Sequence, residues 1–223
     1  VNTTAGFSII KYGGNGTSGH TIPHHLGAAP KFLITKKIST TGDWHVAHQY
    51  NSAYPWNSYL YLNATDGTGE ENSASWFLNS TAPTSTNITL GSGAGINASS
   101  TDYIIYAWAP KQGYSKFGSY TGNGNADGTF VYTGFRPAWV MIKMTVGSGN
   151  WVIHDNKRLG YNPDNNQLLA NTTGAGSTND YLDIVSNGFK FRDSYWGTNG
   201  TTDPYIYAAF AEAPLVNSNG VPC

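Results

Sequence analysis

The stretch GYSKFGSYTGNG, from Gly113 to Gly124, nearly repeats the stretch GFSIIKYGGNG, from Gly6 to Gly16. Other segments of the first half recur in the same order in the second half, the earlier pairs at an offset of 107 positions. Ordered matches at nearly constant spacing predict an internal duplication, with one copy in 1–110 and one in 111–223. The further pairs are APKFLITKK (29–37) with RPAWVMIKM (136–144), GDWHVAH (42–48) with GNWVIHD (149–155), and DYIIYAWAP (102–110) with DPYIYAAFAEAP (203–214).

Each copy has the sequence pattern of an all-β domain. FSIIKY (7–12) and YSKFGSY (114–120) are rich in β-branched and aromatic residues and run into Asn-Gly turns, which predicts a hairpin at the start of each copy. KFLITKK (31–37) and AWVMIKM (138–144) are almost continuously apolar, as expected for strands covered on both faces. No segment shows a capped helical period. We therefore predict two tandem antiparallel β-sandwiches of jelly-roll type.

The composition restricts the partners of the chain. Only 11% of the residues are charged and the net charge is −1, so no basic surface is expected for nucleic acid or anionic lipid. No apolar run approaches the roughly 18 residues that a bilayer-spanning helix needs, and we expect no membrane insertion. The single cysteine, Cys223, excludes an internal disulfide. The abundance of Gly, Asn, Ser, Thr and Tyr is typical of extracellular or virion proteins.

The sequence carries no recognisable catalytic motif. It contains no G-x-S-x-G elbow, no P-loop, no H-E-x-x-H and no cysteine-based zinc spacing. Its acidic residues are mostly isolated in glycine-rich turns, without the paired environments that acid–base catalysis requires. We therefore predict that the chain is not an enzyme.

Two groups of residues are candidate metal ligands. In a strand, His24 and His25 would point to opposite faces, and so would His45 and His48. The histidines from His20 to His48 are therefore interpreted as surface or hydrogen-bonded residues. The turn DGTGEE (66–71) places Asp66, Glu70 and Glu71 around two glycines, a mixture that suits Ca²⁺. It lacks the spacing of an EF-hand loop, so a solvated acidic turn is the preferred interpretation and no cofactor is predicted.

The seven tryptophans fall into two groups. Those with an aromatic counterpart in the other copy, such as Trp44 with Trp151, are predicted to lie in the core. Those without a counterpart lie in polar segments, beside Tyr, Asn and Asp, where rings can stack on a sugar and polar groups can bond its hydroxyls. The alternative is that they anchor loops or contact other subunits. The predicted glycan-contacting residues are Tyr54, Trp56, Trp76, Tyr195 and Trp196.

The segments 5–37, 42–48 and 103–143 together resemble a duplicated domain of tailed-phage structural proteins, found in marine and freshwater phages and in metagenomic sequences. The most specific part is GYSKFGSYTGNG followed by VYTGFRPAWVMIK (131–143). PHHLG (23–27) departs from the commoner HGLG form. The resemblance implies the C-terminal part of a long tail-fibre or virion-surface protein, and it implies no catalytic residues.

These observations lead to a functional hypothesis. We expect a non-enzymatic surface or tail-fibre protein of a virion, which helps to recognise host surface glycans. Its expected partners are further copies of the chain, in a trimer or a filament, and other virion proteins. One alternative is a structural subunit of a decoration layer or extracellular filament, and a second is a polysaccharide depolymerase.

Overall fold

A computed structural model describes residues 1–70, 75–158, 162, 166–178 and 181–213 of the chain. The chain divides into two compact units, Val1–Pro110 and Lys111–Cys223. The regular secondary structure described in each unit is almost entirely antiparallel strand, as the all-β prediction requires. Within the described ranges, no helix has the length and apolar character needed to cross a membrane.

The first unit contains a six-stranded sheet and a two-stranded sheet. The strand order of the large sheet is β1-β8-β3-β4-β5-β6, and β2 pairs with β7 in the small sheet. A helix of one turn, α1, precedes β8 in the chain. The elements are β1 (Phe7–Gly13), β2 (His20–Pro23), β3 (Phe32–Lys37), β4 (Trp44–His48), β5 (Ser58–Tyr61), β6 (Gly69–Glu70), β7 (Asn87–Leu90), α1 (Ala94–Asn97) and β8 (Asp102–Trp108).

The second unit contains a six-stranded sheet and a three-stranded sheet. The large sheet has the order β9-β17-β11-β12-β13-β14, and the small sheet has the order β10-β16-β15. A second one-turn helix, α2, precedes the last strand. The elements are β9 (Ser115–Thr121), β10 (Phe130–Tyr132), β11 (Pro137–Met144), β12 (Val152–Asp155), β13 (Asn166–Leu169), β14 (Ser177–Thr178), β15 (Leu182–Val185), β16 (Gly188–Phe191), α2 (Trp196–Asn199) and β17 (Pro204–Ala211).

The two large sheets have the same strand order when their elements are matched in chain sequence. In each, the first strand of the unit pairs with the last, and the last pairs with the strand that contains the near-continuous apolar run. The apolar runs therefore lie inside the sheet, where strands are hydrogen-bonded on both edges. In β3 the first four residues are buried, and in β11 the last five are buried, as the sequence pattern predicts.

Each unit has a core built from both of its sheets. In the first unit, Leu33 and Ile105 of the large sheet belong to the same buried cluster as Ile22 and Ile88 of the small sheet. In β8 the buried residues alternate with less buried ones, so that every second side chain enters this core. The corresponding cluster of the second unit combines both sheets again, through Val140, Ile142, Tyr207, Val131, Ile184 and Phe189.

The core prediction for the matched rings holds only in part. Trp151 is 1% exposed, which confirms its assignment to the interior. Trp44 is only half-buried, and Lys36 Nζ lies 5.8 Å from the centroid of its ring, so a cation covers part of this indole. Of the other matched rings, Phe32 is buried, whereas three are partly exposed: Trp108, Trp139 and Phe210.

The predicted hairpins at the two Asn-Gly turns are wrong. β1 pairs with β8 and β2 pairs with β7, so the segment between β1 and β2 carries the chain from the large sheet to the small one. The second unit does the same, since β9 pairs with β17 and β10 with β16. Positive φ angles occur at Gly16 and Gly124, so the glycines do serve turns, but the turns connect different sheets.

Candidate functional site

A buried asparagine at the end of α1 organises the first of these turns. Asn97 is fully buried, and its Oδ1 accepts a hydrogen bond from Asn15 N at 3.0 Å. Its Nδ2 donates to the carbonyl oxygens of Thr17 and Gly91 at 3.0 and 2.7 Å. One side chain therefore ties the turn after β1 to the segment that leads into α1, and this satisfies buried backbone groups that have no strand partner.

The second unit repeats this arrangement around Asn199, which is also fully buried. Asn199 Oδ1 accepts a hydrogen bond from Asn123 N at 3.1 Å, and Nδ2 donates to Asn125 O at 3.0 Å and to Asp193 O at 2.8 Å. This side chain therefore ties the turn after β9 to the segment that leads into α2.

A buried tyrosine on the last strand completes each arrangement. Tyr103 Oη donates to Ala94 O at 2.9 Å and accepts from Ala98 N at 2.8 Å. In the second unit Tyr205 Oη accepts from Gly200 N at 2.8 Å and donates to the Trp196 carbonyl. Burial is the main cause that raises the pKa of Tyr205 to about 12, so its hydroxyl remains a donor at neutral pH. These bonds fix both ends of each short helix.

Three aromatic side chains lie together at the start of α2, and we call them the ring platform: Tyr181, Tyr195 and Trp196. The rings of Tyr181 and Tyr195 are stacked, with centroids 4.4 Å apart and planes 12° apart. The Trp196 ring lies 5.6 Å from that of Tyr195 and the residue is 51% exposed. A Cβ atom on Gly197 would lie 2.4 Å from the Tyr195 ring, so a glycine is needed there for this packing.

The first unit has no ring platform at the matching place. The residues at the start of α1 that correspond to Tyr195 and Trp196 are Gly93 and Ala94. The ring of Trp76 occupies the space over Gly93, because a Cβ atom there would lie 2.8 Å from it. Since α1 forms with Gly and Ala, the fold of such a unit does not require exposed rings at this helix.

The charges around the ring platform are mostly paired. Arg192 Nε lies 2.5 Å from Asp183 Oδ2, and Lys190 Nζ lies 2.7 Å from Asp127 Oδ1. The Asp193 carboxylate takes part in no hydrogen bond or ion pair within the described part of the chain. Burial raises the pKa of Tyr181, and the neighbouring Tyr195 and Asp193 raise it further. The surface beside the rings therefore carries a free negative charge.

The predicted glycan-contacting residues of the first unit do not form a comparable surface. Tyr54 is 71% exposed, but Trp56 is partly buried and packs against the core. Trp76 is also partly buried and contacts the rings of His45 and Tyr59, at centroid distances of 6.0 and 5.0 Å. Trp56 and Trp76 are therefore not fully exposed rings: Trp56 packs against the core, and Trp76 lies against Gly93.

The acidic turn 66–71 lies only partly within the described residues. Asp66 is exposed in the loop before β6, Glu70 ends β6, and Glu71 lies outside the described residues. Over the described ranges, no three His, Cys, Asp or Glu side chains lie close enough together to hold a metal ion. The solvated acidic turn stays the prediction, with a cation site as its alternative.

Most of the clustered histidines are buried and hydrogen-bonded. His24 Nε2 lies 3.1 Å from Thr84 O, and its Nδ1 accepts from Leu26 N at 3.2 Å. His45 differs, because its Nδ1 has no hydrogen-bond partner among the described residues and aromatic rings surround it. Burial lowers the pKa of His45 to about 4, so its imidazole is neutral at neutral pH.

Comparison with known proteins identifies a family without an assigned role. The family model described as "Domain of unknown function (DUF7483)" matches residues 1–214. The chain belongs to the DUF7483 family. The match covers the first unit and residues 111–214 of the second. No curated protein and no solved structure shows significant similarity to the chain.

Several parts of this DUF7483 site were not found from the sequence. No sequence pattern indicates Tyr181 as a site residue, because it has no tryptophan or tyrosine beside it in the chain. Only the fold brings its ring to that of Tyr195. The two helices were missed because each has four residues, too few to show a period. A signal was present, since Tyr103 follows Asn97 by the same interval as Tyr205 follows Asn199.

Proposed function

We propose that this DUF7483 chain is a non-enzymatic surface protein of a phage virion, for example part of a tail fibre, and that its ring platform binds glycans of the host surface. The proposal rests chiefly on one observation. Tyr195 and Trp196 present rings at a helix start where the first unit has Gly93 and Ala94, so the rings are not explained by the fold.

The chemistry of the ring platform supports this function. The faces of Tyr and Trp rings pack well on the C–H groups of a pyranose, and carboxylate, amide and hydroxyl groups nearby can bond its hydroxyls. The low charge of the chain suits a surface protein that must not bind nucleic acid or lipid indiscriminately. The sequence resemblance to phage structural proteins supports the location on a virion.

In this proposal each unit is a β-sandwich, and the chain is a tandem pair of them. The shared strand order of the large sheets and the cores built from both sheets of each unit support it. The chain acts as a trimer or a filament together with other virion proteins, so that several ring platforms engage a surface at once and gain avidity. Light scattering of the purified chain measures the number of copies.

A glycan array tests the proposed function. The intact chain should bind a subset of the glycans, and Trp196→Ala should reduce that binding at least about tenfold, because alanine removes the exposed ring. Tyr50→Ala is the matched control, since Tyr50 is 52% exposed in the first unit, and it should leave binding unchanged. Absence of binding, or binding that survives Trp196→Ala, would contradict the proposal. Loss with Tyr54→Ala instead would place the site in the first unit.

A further inference from the structure

The charges around the ring platform indicate which class of glycan it takes. Two cations, Lys190 and Arg192, lie in the small sheet and in the segment after it, and each contacts a carboxylate, of Asp127 and Asp183 respectively. Asp193 adds a third carboxylate, which leaves this surface with one uncompensated negative charge. The two ion pairs offset the charges of both cations, so an anionic ligand meets a surface of net negative charge.

The position of Asp193 relative to the rings is fixed by hydrogen bonds. Asn199 Nδ2 donates to Asp193 O at 2.8 Å, and Asn199 itself is fully buried. On the preceding residue, Arg192 N donates to Tyr181 O at 2.9 Å, which joins this segment to the residue whose ring stacks on Tyr195. The backbone at Asp193 is therefore held by a hydrogen bond from Asn199 and, through the preceding residue, by a hydrogen bond to Tyr181.

A half-buried carboxylate beside a stack of rings matches a sugar with free hydroxyls. Its two oxygens accept hydrogen bonds and donate none, so they suit a pair of adjacent hydroxyl groups. Hydrogen bonds to a charged acceptor are stronger than those between neutral groups. The rings meanwhile cover the apolar face of the same pyranose.

Resting on the proposed function, we propose that the ring platform together with Asp193 selects neutral hexopyranosides and rejects sugars that carry carboxylate or sulfate. Asp193 accepts hydrogen bonds from two adjacent hydroxyls, while Tyr181, Tyr195 and Trp196 hold the ring of the sugar. A sugar that carries a uronate or sulfate group at this site is repelled by the Asp193 charge. It therefore binds at least about tenfold more weakly than the matching neutral sugar.

Matched pairs of glycans test this selectivity. The probes are oligosaccharides that end in a neutral hexose and the same oligosaccharides oxidised to the uronic acid at C6, measured on an array and by titration calorimetry with the intact chain. The wild type should prefer the neutral member of a pair by at least about tenfold. Asp193→Asn should narrow the preference to less than about threefold, because the amide removes the charge and keeps one acceptor. Trp196→Ala should weaken both members.

The outcomes separate this inference from the proposed function. Binding that depends on Trp196 but favours the acidic member, or a preference unchanged by Asp193→Asn, overturns the selectivity and leaves glycan recognition intact. Binding of neither class overturns both. Thermal unfolding of each variant establishes that it is folded, and Asp66→Asn, an exposed carboxylate in the first unit, is the control that should not alter the preference.

Discussion

Replacing His45 by valine should remove a large part of the acid sensitivity of the protein. His45 is 4% exposed, and burial is the main cause that lowers its pKa from 6.5 to about 4. A hydrogen bond with the Asp43 backbone and the Asp43 charge oppose this shift but do not cancel it. The corresponding residue of the second unit is Val152, which is fully buried, so valine suits this position of the fold.

The sign of the effect follows from proton linkage. The unfolded chain protonates His45 near pH 6.5, whereas the folded chain does so only near pH 4, so the unfolded state binds more protons between these values. Folding free energy is therefore lost as the pH falls through this window. The linkage relation gives a loss from His45 of about 2 kcal/mol at pH 5 and about 3 kcal/mol at pH 4.

Urea unfolding followed by circular dichroism at pH 7, 5 and 4 measures this loss. The wild type should lose stability along the calculated curve, and His45→Val should lose less by the amounts given above. Val146→Ala is the control: Val146 is exposed and has no titratable group, so its pH curve should run parallel to that of the wild type. Parallel pH curves for His45→Val and the wild type would refute the assignment of a buried neutral imidazole.

The remaining predictions concern the buried turns. Asn199→Ala should lower the free energy of unfolding by about 3 kcal/mol, because it removes at least three hydrogen bonds made by a fully buried side chain. A loss below about 1 kcal/mol in urea unfolding would contradict this. Gly91→Ala should destabilise by more than about 2 kcal/mol, since its Cβ atom would lie 2.2 Å from Ser75 O. Gly13→Ala, with nothing within 4 Å of the added atom, is the matched control and should change little.

The strands of the core could be predicted because their buried residues form local apolar patterns in the sequence. The run in β3 lies inside the large sheet, and alternation in β8 separates buried from less buried residues. The similarity between the two halves of the sequence was visible for the same reason, since β3 and β11 carry matching apolar runs. Patterns of this kind depend little on contacts between residues that are distant in the sequence.

The sheet pairing could not be predicted from the Asn-Gly turns. An Asn-Gly dipeptide indicates the backbone conformation of one or two residues. Which strand the next strand pairs with depends instead on contacts between residues that are distant in the sequence. Here Asn97, which is 82 residues further along the chain, accepts a hydrogen bond from Asn15 N and holds the turn there. After this turn the chain enters another sheet. A local signal was therefore correct about the turn and wrong about the hairpin.

Exposure of the candidate rings also depended on distant residues. Trp76 and Trp196 both lie in polar segments, so their sequence neighbours give no reason to separate them. The difference is that Gly93 leaves room for the Trp76 ring, whereas Tyr195 and Gly197 arrange the rings of α2 at the surface. Only the packing around each helix distinguishes a ring that fills a gap from one that faces solvent.

The start of α2 is a site where the chain tolerates very different side chains. The two helices keep the same anchoring asparagine and tyrosine, yet one begins with Gly93 and Ala94 and the other with Tyr195 and Trp196. Evolution or an engineer can therefore randomise these two positions in α2 without redesigning the interior. Libraries built there would offer a compact antibody-like scaffold, with new specificities displayed on an unchanged framework.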